Sequence, residues 1–151
     1  MRIFLKEDEV PVAVHRPYPI LAHWQEKVKE DIERDIRLGV LERVPLNTPV
    51  TWCSHMHIVV KKSGEPRRVV DLRPVNAASK RQTHYVELPY AQTRSIQPNT
   101  FWFTSDAWNG YNLVPLDAQN CRVTTLITPW GRLCYTGGPQ GHVVMGDAFN
   151  Q

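Results

Sequence analysis

One carboxylate in this sequence stands where a hard metal ion could be held. Asp106 ends the aromatic run Phe-Trp-Phe-Thr-Ser at 101–105, and an Asn-Gly pair and Tyr111 follow it. A strand over 101–106 that leads into a tight turn would place this acid at the mouth of a buried sheet, where oxygen ligands suit magnesium. An acid before a turn also serves as a cap or turn residue, so both interpretations stay open for this run alone.

Positive charge is concentrated in one short segment. The whole chain has a formal net charge of +3, whereas residues 61–81 carry seven basic and two acidic side chains, a net +5. Such concentration suits a surface that handles phosphates, because neutralising phosphates releases condensed counterions. A solvated basic hairpin would have the same composition, so charge alone does not decide between them. The basic residues are Lys61, Lys62, Arg67, Arg68, Arg73, Lys80 and Arg81.

A second possible metal site lies just before that segment. Cys53, His55 and His57 alternate, so on a strand they would project from one face, and Cys-x-His-x-His is a pattern that zinc can bind. No fourth ligand is evident nearby, and ordinary strand residues are the alternative.

The sequence has three cysteines, an odd number at wide spacing. This usage predicts a reducing compartment and no disulfide framework.

The elements that must position these residues can be predicted from periodicity and turn residues. Apolar residues recur every fourth position over 22–38, which predicts a packing helix that Gly39 ends. Strands at 55–62 and 67–72, joined by Ser-Gly-Glu-Pro, predict a β-hairpin with its basic residues near the tip. Prolines make residues 1–20 an extended arm.

Further elements are predicted in the second half of the chain. A helical turn or two is expected near 90–95, and a strand over 101–106 leads to Asp106. A strand pair at 123–127 and 132–136 surrounds Pro-Trp-Gly, and a helix begins after Gly141.

No apolar run approaches the roughly 20 residues that span a bilayer, and the first residues turn acidic too early for a secretory signal.

Several blocks occur in an order and spacing that resemble reverse transcriptases. They are Trp-Cys-Ser-His-Met-His-Ile-Val-Val-Lys-Lys-Ser-Gly at 52–64, Arg-Arg-Val-Val-Asp-Leu-Arg-Pro-Val-Asn at 67–76, the run ending in Asp106, Thr-Thr-Leu-Ile-Thr-Pro-Trp-Gly-Arg at 124–132 and Gly-Pro-Gln-Gly at 138–141. From about residue 11 to residue 151 the chain resembles the fingers and first half of the palm of these polymerases. The nearest resemblance is to gypsy-like retrotransposons with long terminal repeats, and retroviral pol shares the plan.

The resemblance implies a fold and a division of the chain. The expected class is α+β, with mainly antiparallel strands and flanking helices. Residues 1–20 would form the extended N-terminal arm, residues 21–100 the fingers with the helix and basic hairpin, and residues 101–151 a partial palm. The palm sheet would lack its third and fourth strands, so an unpaired edge and exposed apolar surface are expected near 101–151.

The resemblance also implies an activity for the parent protein. A reverse transcriptase is an RNA-directed DNA polymerase, a nucleotidyltransferase that adds deoxynucleotides to a primer by two-metal phosphoryl transfer. The expected cofactor is Mg²⁺, with Mn²⁺ as an alternative. Expected partners are an RNA or DNA template-primer, a deoxynucleoside triphosphate and the rest of the polymerase, which comprises the remaining palm, thumb and RNase H. The expected location is intracellular, in the cytoplasm or a retroelement particle, with the nucleus as an alternative and no membrane partner.

Roles for residues near Asp106 follow from the same resemblance. Asp106 matches the first, catalytic metal ligand, and the carbonyl of Ala107 would assist one metal. Tyr111 matches the aromatic residue under the incoming sugar, where a ring would clash with a ribose 2′-hydroxyl and favour deoxynucleotides. Gln140 and Gly141 match a Pro-Gln-Gly block beside the nucleotide.

The basic segment supplies the remaining matches. Arg67 matches an arginine that contacts the triphosphate, where its planar fork suits phosphate oxygens. Lys61 or Lys62 would accompany it, and both are nucleotide-binding candidates. Arg73 and Asn76 match positions near the template strand. Arg68 is expected to face solvent, because neighbours on a strand point to opposite sides.

Departures from the family pattern bear on activity. No Asp-Asp pair, which would supply the later metal ligands in a Tyr-x-Asp-Asp hairpin, occurs in the sequence. We therefore expect a fragment that is inactive by itself, and a catalytically dead nucleic-acid-binding module or a decayed remnant is the alternative. Ser105 and His142 replace larger aliphatic or aromatic residues, and Asp147 is expected to add charge at the nucleotide site.

Overall fold

The computed structural model describes residues 1–81, 85, 87–94, 96–97, 99–107 and 109–149. Helices and strands mix along the chain, which confirms the predicted α+β class. Two short 3₁₀ turns cover Gly110–Leu113 and Arg122–Thr124. The helices are α1 Ala22–Arg37, α2 Arg73–Ala78, α3 Pro89–Thr93, α4 Ala118–Cys121 and α5 Met145–Phe149, and the strands are β1 Leu41–Arg43, β2 Ser54–Val60, β3 Pro66–Val70, β4 Leu126–Thr128 and β5 Gly131–Tyr135.

The described strands form one five-stranded sheet in the order β1-β5-β4-β2-β3. Three of its pairings are antiparallel, and β2 pairs parallel with β4 through Ser54–Leu126 and His55–Ile127. The sheet is therefore mainly antiparallel, as predicted. One apolar cluster joins α1 to the sheet, and a second lies under the N-terminal arm, α2 and α4.

Helix α1 forms where the four-residue periodicity predicts it. Val28 and Ile32 are buried against the sheet, because the apolar stripe falls on one helix face. Gly39 takes a left-handed φ of 69° just past the helix end, and its N–H donates to the carbonyl of Ile36 at 3.0 Å. This conformation costs glycine little, so Gly39 ends the helix as predicted.

The basic hairpin also forms as predicted. Strands β2 and β3 pair in register, and the turn between them contains Gly64 at a φ of 84°. The N–H of Lys61 donates to the carbonyl of Glu65 at 2.8 Å and closes the turn. The tip, including Lys61 and Lys62, is exposed.

The N-terminal arm is extended and contributes to the core. The N–H of Cys53 donates to the carbonyl of Val12, and the N–H of Val14 donates to the carbonyl of Cys53, both at 3.0 Å. Ile3 is buried in the second cluster. The arm therefore bonds to the segment that leads into β2. The boundaries at residues 20 and 100, which divide the arm, fingers and palm, stay predictions.

The predicted strand at 101–106 is wrong. Residues 101–107 form no strand, and the side chains of Phe101, Trp102 and Phe103 are exposed. Strand-forming residues need a neighbouring strand to bond their backbone, and no strand of the described sheet pairs with this segment. The exposed rings agree with the apolar surface expected in this part of the chain.

Other element boundaries shift slightly. Residues 122–124 form a 3₁₀ turn, so β4 begins at Leu126, later than the predicted 123. The predicted helical turn at 90–95 corresponds to α3, and Ser95 lies outside the described residues. Within the described part of the chain, no helix combines the length and apolar character that crossing a bilayer requires.

Candidate functional site

Four of the predicted site residues share one cleft. Asp106, Ala107, Tyr111 and Gln140 all line an open cleft of about 690 Å³. This volume lies within the range of small-molecule sites, roughly 300–1,000 Å³. The remaining lining residues are Ser105, Asn109, Gly110, Asn112 and Phe149.

The turn after Asp106 presents this acid to the cleft. Asn109 adopts a left-handed φ of 51° directly before the 3₁₀ turn, and the N–H of Gly110 donates to the carbonyl of Ala107 at 3.3 Å. Among the described residues, the Asp106 carboxylate has no hydrogen bond or ion pair and caps no helix. The cap interpretation finds no support among these residues, the turn interpretation stays open, and the exposed Asp106 side chain lines the cleft.

Gly137 and Gly138 hold the Tyr111 turn in place; the sequence analysis included Gly138 in a family block but assigned neither glycine this packing role. The N–H of Gly138 donates to the carbonyl of Val114 at 2.9 Å. A Cβ on Gly137 would overlap the carbonyl oxygen of Asn112, and one on Gly138 would overlap the Met145 side chain. Only glycine allows this close approach. The adjacent glycines before Pro139 were the available signal.

Arg67 reaches the cleft from β3. Its Nη2 donates to Oε1 of Gln140 at 3.2 Å, so the guanidinium lies beside one lining residue. Lys61 and Lys62 stand at the hairpin tip and do not line the cleft. The ion pairs formed among the described residues do not include either lysine. The structure thus brings together Arg67 and Gln140, and leaves both lysines apart.

Asn76 and Gly141 are joined by a structural contact. The Asn76 amide donates to the carbonyl of Gly141 at 2.9 Å, and its Oδ1 accepts the Val143 N–H at 2.9 Å. Gly141 takes a φ of 94°, which this tethered loop requires. Both ends of the Asn76 amide therefore hold the loop that follows Gln140, and its proposed template contact stays a prediction.

Arg73 forms a two-pronged ion pair with Asp71. Its Nε and Nη2 donate to the two carboxylate oxygens at 2.8 and 2.7 Å. These bonds lower the pKa of Asp71 to about 2. The Arg73 side chain is otherwise open to solvent and lies outside the cleft lining, so its template role also stays a prediction.

The prediction that Arg68 faces solvent is wrong. Its guanidinium is mostly buried and donates to the carboxylate of Asp35 in α1. Arg34 binds the other oxygen of Asp35 at 3.1 Å. Arg67 and Arg68 do point to opposite sides of β3, but α1 covers the side on which Arg68 lies.

Asp147 does not charge the cleft around Asp106, contrary to expectation. It pairs with Arg81 at 3.3 Å and lines a separate cleft together with Phe4. His142 is buried, with its Nε2 lying 3.2 Å from Oγ of Ser79. Burial lowers the pKa of His142 to about 4. The polar residue after Pro-Gln-Gly is thus an internal, neutral side chain.

The zinc interpretation finds no support in the described residues, among which no group of three His, Cys, Asp or Glu side chains could hold a metal. The rings of His55 and His57 lie 4.1 and 4.7 Å from the Tyr18 ring. All three cysteines are buried free thiols, and burial raises the pKa of each, that of Cys134 to about 12. Burial therefore disfavours the thiolate, which is the form that reacts and binds metals.

Solved structures show which fold surrounds this cleft. The chain superposes on prototype foamy virus protease-reverse transcriptase (CSH mutant) with a TM-score of 0.78 at 20% identity, covering 97% of this chain and 19% of that one. A foamy viral protease-reverse transcriptase in complex with double-stranded DNA gives a TM-score of 0.66 at 18% identity, covering 97% of this chain and 25% of that one. The fold is therefore that of a reverse transcriptase.

Curated relatives of similar sequence are retroviral polyproteins. The Pol polyprotein of feline endogenous virus ECE1 is 31% identical over 152 residues, and the Gag-Pol polyprotein of koala retrovirus is 36% identical over 102 residues. The matches cover 92% and 66% of this chain, which spans only 14% and 6% of those proteins. No protein-family model matches the sequence. The similarities support a retroviral pol region, and the narrower gypsy-like assignment stays a prediction.

Proposed function

We propose that this chain is the fingers and partial palm of an RNA-directed DNA polymerase, and that its cleft binds a deoxynucleoside triphosphate with Mg²⁺. One observation carries the proposal: Asp106, Ala107, Tyr111 and Gln140 line the same cleft, and Arg67 contacts Gln140 at its edge. These residues lie up to 73 positions apart in sequence. Their convergence supports the roles that the resemblance implies.

The oxygen atoms at the cleft suit a hard cation. The Asp106 carboxylate and the Ala107 carbonyl are the ligand types that Mg²⁺ prefers, and Mn²⁺ accepts the same set. When bound, the ion would supply positive charge to the phosphate oxygens of the nucleotide. Asp106 is the single acid in the described lining, so the remaining ligands would come from water and the nucleotide itself.

Positive charge for the triphosphate would come from the hairpin. Arg67 presents a planar fork at the cleft edge, and Lys61 or Lys62 would approach when the exposed tip folds toward the ligand. Gln140 and the backbone of Gly141 would border the nucleotide. The ring of Tyr111 would lie under the sugar and exclude a 2′-hydroxyl.

The isolated chain is expected to bind nucleotide but not to polymerise it. Two-metal phosphoryl transfer needs carboxylates that hold both ions, and this sequence contains no Asp-Asp pair. Template-primer and the remaining palm, thumb and RNase H would complete the parent enzyme. Template-dependent incorporation by the purified chain would contradict this proposal.

Calorimetry of Mg²⁺-dependent dATP binding tests the site. Loss of an arginine–phosphate bond costs about 1.5–3 kcal/mol, so Arg67→Ala should weaken binding about 10- to 150-fold. Asp106→Asn should abolish the Mg²⁺ dependence. Arg37→Ala and Asp8→Asn change exposed residues outside the cleft and should leave affinity unchanged. Absence of binding by the folded wild-type chain would refute the proposed site.

A nucleic-acid-binding module without chemistry is the second candidate. A foamy viral protease-reverse transcriptase of similar fold has been solved with double-stranded DNA. Four of the seven basic residues in 61–81 pair with acids, which leaves three cations without an acidic partner among the described residues. The paired residues are Arg68 with Asp35, Arg73 with Asp71, Lys80 with Glu7 and Arg81 with Asp147, and the three others are Lys61, Lys62 and Arg67.

Those three cations set the expected salt dependence. Neutralising about three phosphates predicts that log K falls with log salt at a slope of about −3. Lys62→Ala should reduce the slope by about 1, whereas Lys29→Ala, an exposed change on α1, should not. An affinity for duplex DNA that does not change with salt concentration, or absent binding, would count against this candidate.

A further inference from the structure

We propose that Phe149 is a specificity-determining residue of the cleft, which selects deoxyribose over ribose by fixing the ring of Tyr111. The inference rests on the proposed nucleotide site and assigns a role to a residue for which the sequence suggested none. Phe149 lines the same cleft as Asp106 and Tyr111. Its effect on the sugar would act through Tyr111, so it is a positioning residue.

The two rings meet edge to face. Their centroids lie 5.4 Å apart and their planes are perpendicular, at 90°. This is a favoured aromatic geometry, because the positive edge of one ring meets the negative face of the other. Phe149 is 44% exposed, so one side of its ring contacts Tyr111 while another borders the open cleft.

Gly110 shows that the fit is close. A Cβ at Gly110 would lie 2.9 Å from both Cε2 and Cζ of Phe149. Real Cβ contacts are longer than this, so any other residue at this position would displace the ring. The glycine in the Asn-Gly turn therefore makes room for Phe149 beside Tyr111.

The opposite end of α5 anchors Phe149. Met145, at the start of the helix, is 1% exposed, and its side chain packs where a Cβ of Gly138 would otherwise lie. The N–H of Ala148 donates to the carbonyl of Val144 at 3.0 Å. Because the first turn of α5 is fixed in the core, the Phe149 ring is held at the cleft.

A held ring excludes a hydroxyl better than a mobile one. The backbone at Tyr111 lies in a 3₁₀ turn, and an edge contact with Phe149 would limit rotation about the Tyr111 side-chain bonds. Loss of an aromatic pair of this kind should release the Tyr111 ring and raise ribonucleotide affinity between about two- and tenfold. Deoxynucleotide affinity should change little, because it makes no clash.

The test compares dATP and ATP, which differ only in the 2′-hydroxyl, binding to the full chain with Mg²⁺ by calorimetry. The variants are Phe149→Leu and Phe149→Ala, and Phe4→Ala is the matched control. Phe4 is 43% exposed, close to the 44% of Phe149, and it lines the neighbouring cleft. Phe4→Ala therefore removes a similarly exposed ring from outside the Tyr111 site. The NMR shifts of the Tyr111 ring protons report the contact itself, and a dispersed spectrum shows that each variant is folded.

We expect wild type to prefer dATP, both Phe149 variants to lose preference through tighter ATP binding, and Phe4→Ala to match wild type. The Tyr111 shifts should move only in the Phe149 variants. An unchanged dATP/ATP ratio in folded Phe149→Leu would overturn the inference and leave the proposed nucleotide site standing. Absent binding of both nucleotides by wild type would instead overturn the proposed site and this inference together.

Discussion

The buried His142 should make the stability of this protein fall in mild acid. The N–H of Val144 points to Nδ1 at 3.4 Å, and Oγ of Ser79 lies 3.2 Å from Nε2. The Ser79 hydroxyl donates to the carbonyl of Val75 at 2.7 Å, so its oxygen is left to accept from Nε2–H. This arrangement suits the neutral ring, because a proton on Nδ1 would face the Val144 N–H donor.

The size and sign of the effect follow from the pKa shift. Burial lowers the pKa of His142 from 6.5 to about 4, so the unfolded chain binds a proton over a range where the folded chain does not. Its contribution to stability is intact above pH 6.5 and is lost progressively as the pH falls toward 4. The expected loss is about 2 kcal/mol at pH 5 and about 3 kcal/mol below pH 4.

Urea unfolding at pH 7.5 and 5.0 measures this loss. His142→Phe should lower stability at both pH values, because the Val144 N–H and the Ser79 oxygen lose the ring nitrogens that they face, but it should remove the extra loss at pH 5. His15→Phe changes an exposed histidine and should retain the wild-type pH dependence. Both pH values lie well above the pKa of Asp71, which is about 2, so Asp71 stays ionised in both measurements. Equal pH dependence in wild type and His142→Phe would refute the reasoning.

Two more predictions concern stability. Arg68→Ala should lower the free energy of unfolding by about 2–3 kcal/mol, because it strips one partner from the buried carboxylate of Asp35. Arg43→Ala, which removes an exposed pair with Glu33, should cost at most about 1 kcal/mol, and equal losses would contradict the burial argument. Gly137→Ala should cost about 1–3 kcal/mol, because its Cβ would overlap the Asn112 backbone. Gly146→Ala, with open space in α5, should stabilise by up to about 1 kcal/mol, and thermal unfolding distinguishes the two.

Sequence patterns correctly predicted the elements that depend on interactions between residues close in sequence. Helix α1 and its end at Gly39 follow from a four-residue period and a left-handed glycine, and the hairpin follows from two β-rich runs around Gly64. The segment at 101–106 has similar β-forming residues, yet a strand exists only if another strand bonds to it. That partner is a property of the whole fold, and six residues of sequence cannot reveal it.

The same distinction applies to the site. Asp106, Tyr111 and Gln140 were predicted through a resemblance between ordered blocks, and the structure places all three in the lining of one cleft. Strand alternation separated Arg67 from Arg68 correctly, but it could not show that α1 covers the second face. The role proposed for Phe149 was not foreseen, because it depends on a ring contact with Tyr111 that no spacing in the sequence encodes.

The bonding of the first residues has a consequence for how the chain is made. Ile3 exchanges hydrogen bonds with the side chain of Asn120, 117 positions later. Ribosomes add about 5–20 residues per second, so Ile3 waits roughly 6–25 seconds for this partner to be synthesised. During that interval the side chain of Ile3, which is buried in the finished fold, has no completed surface to cover it. Slower translation therefore lengthens the time in which newly made chains can adhere to one another through this arm.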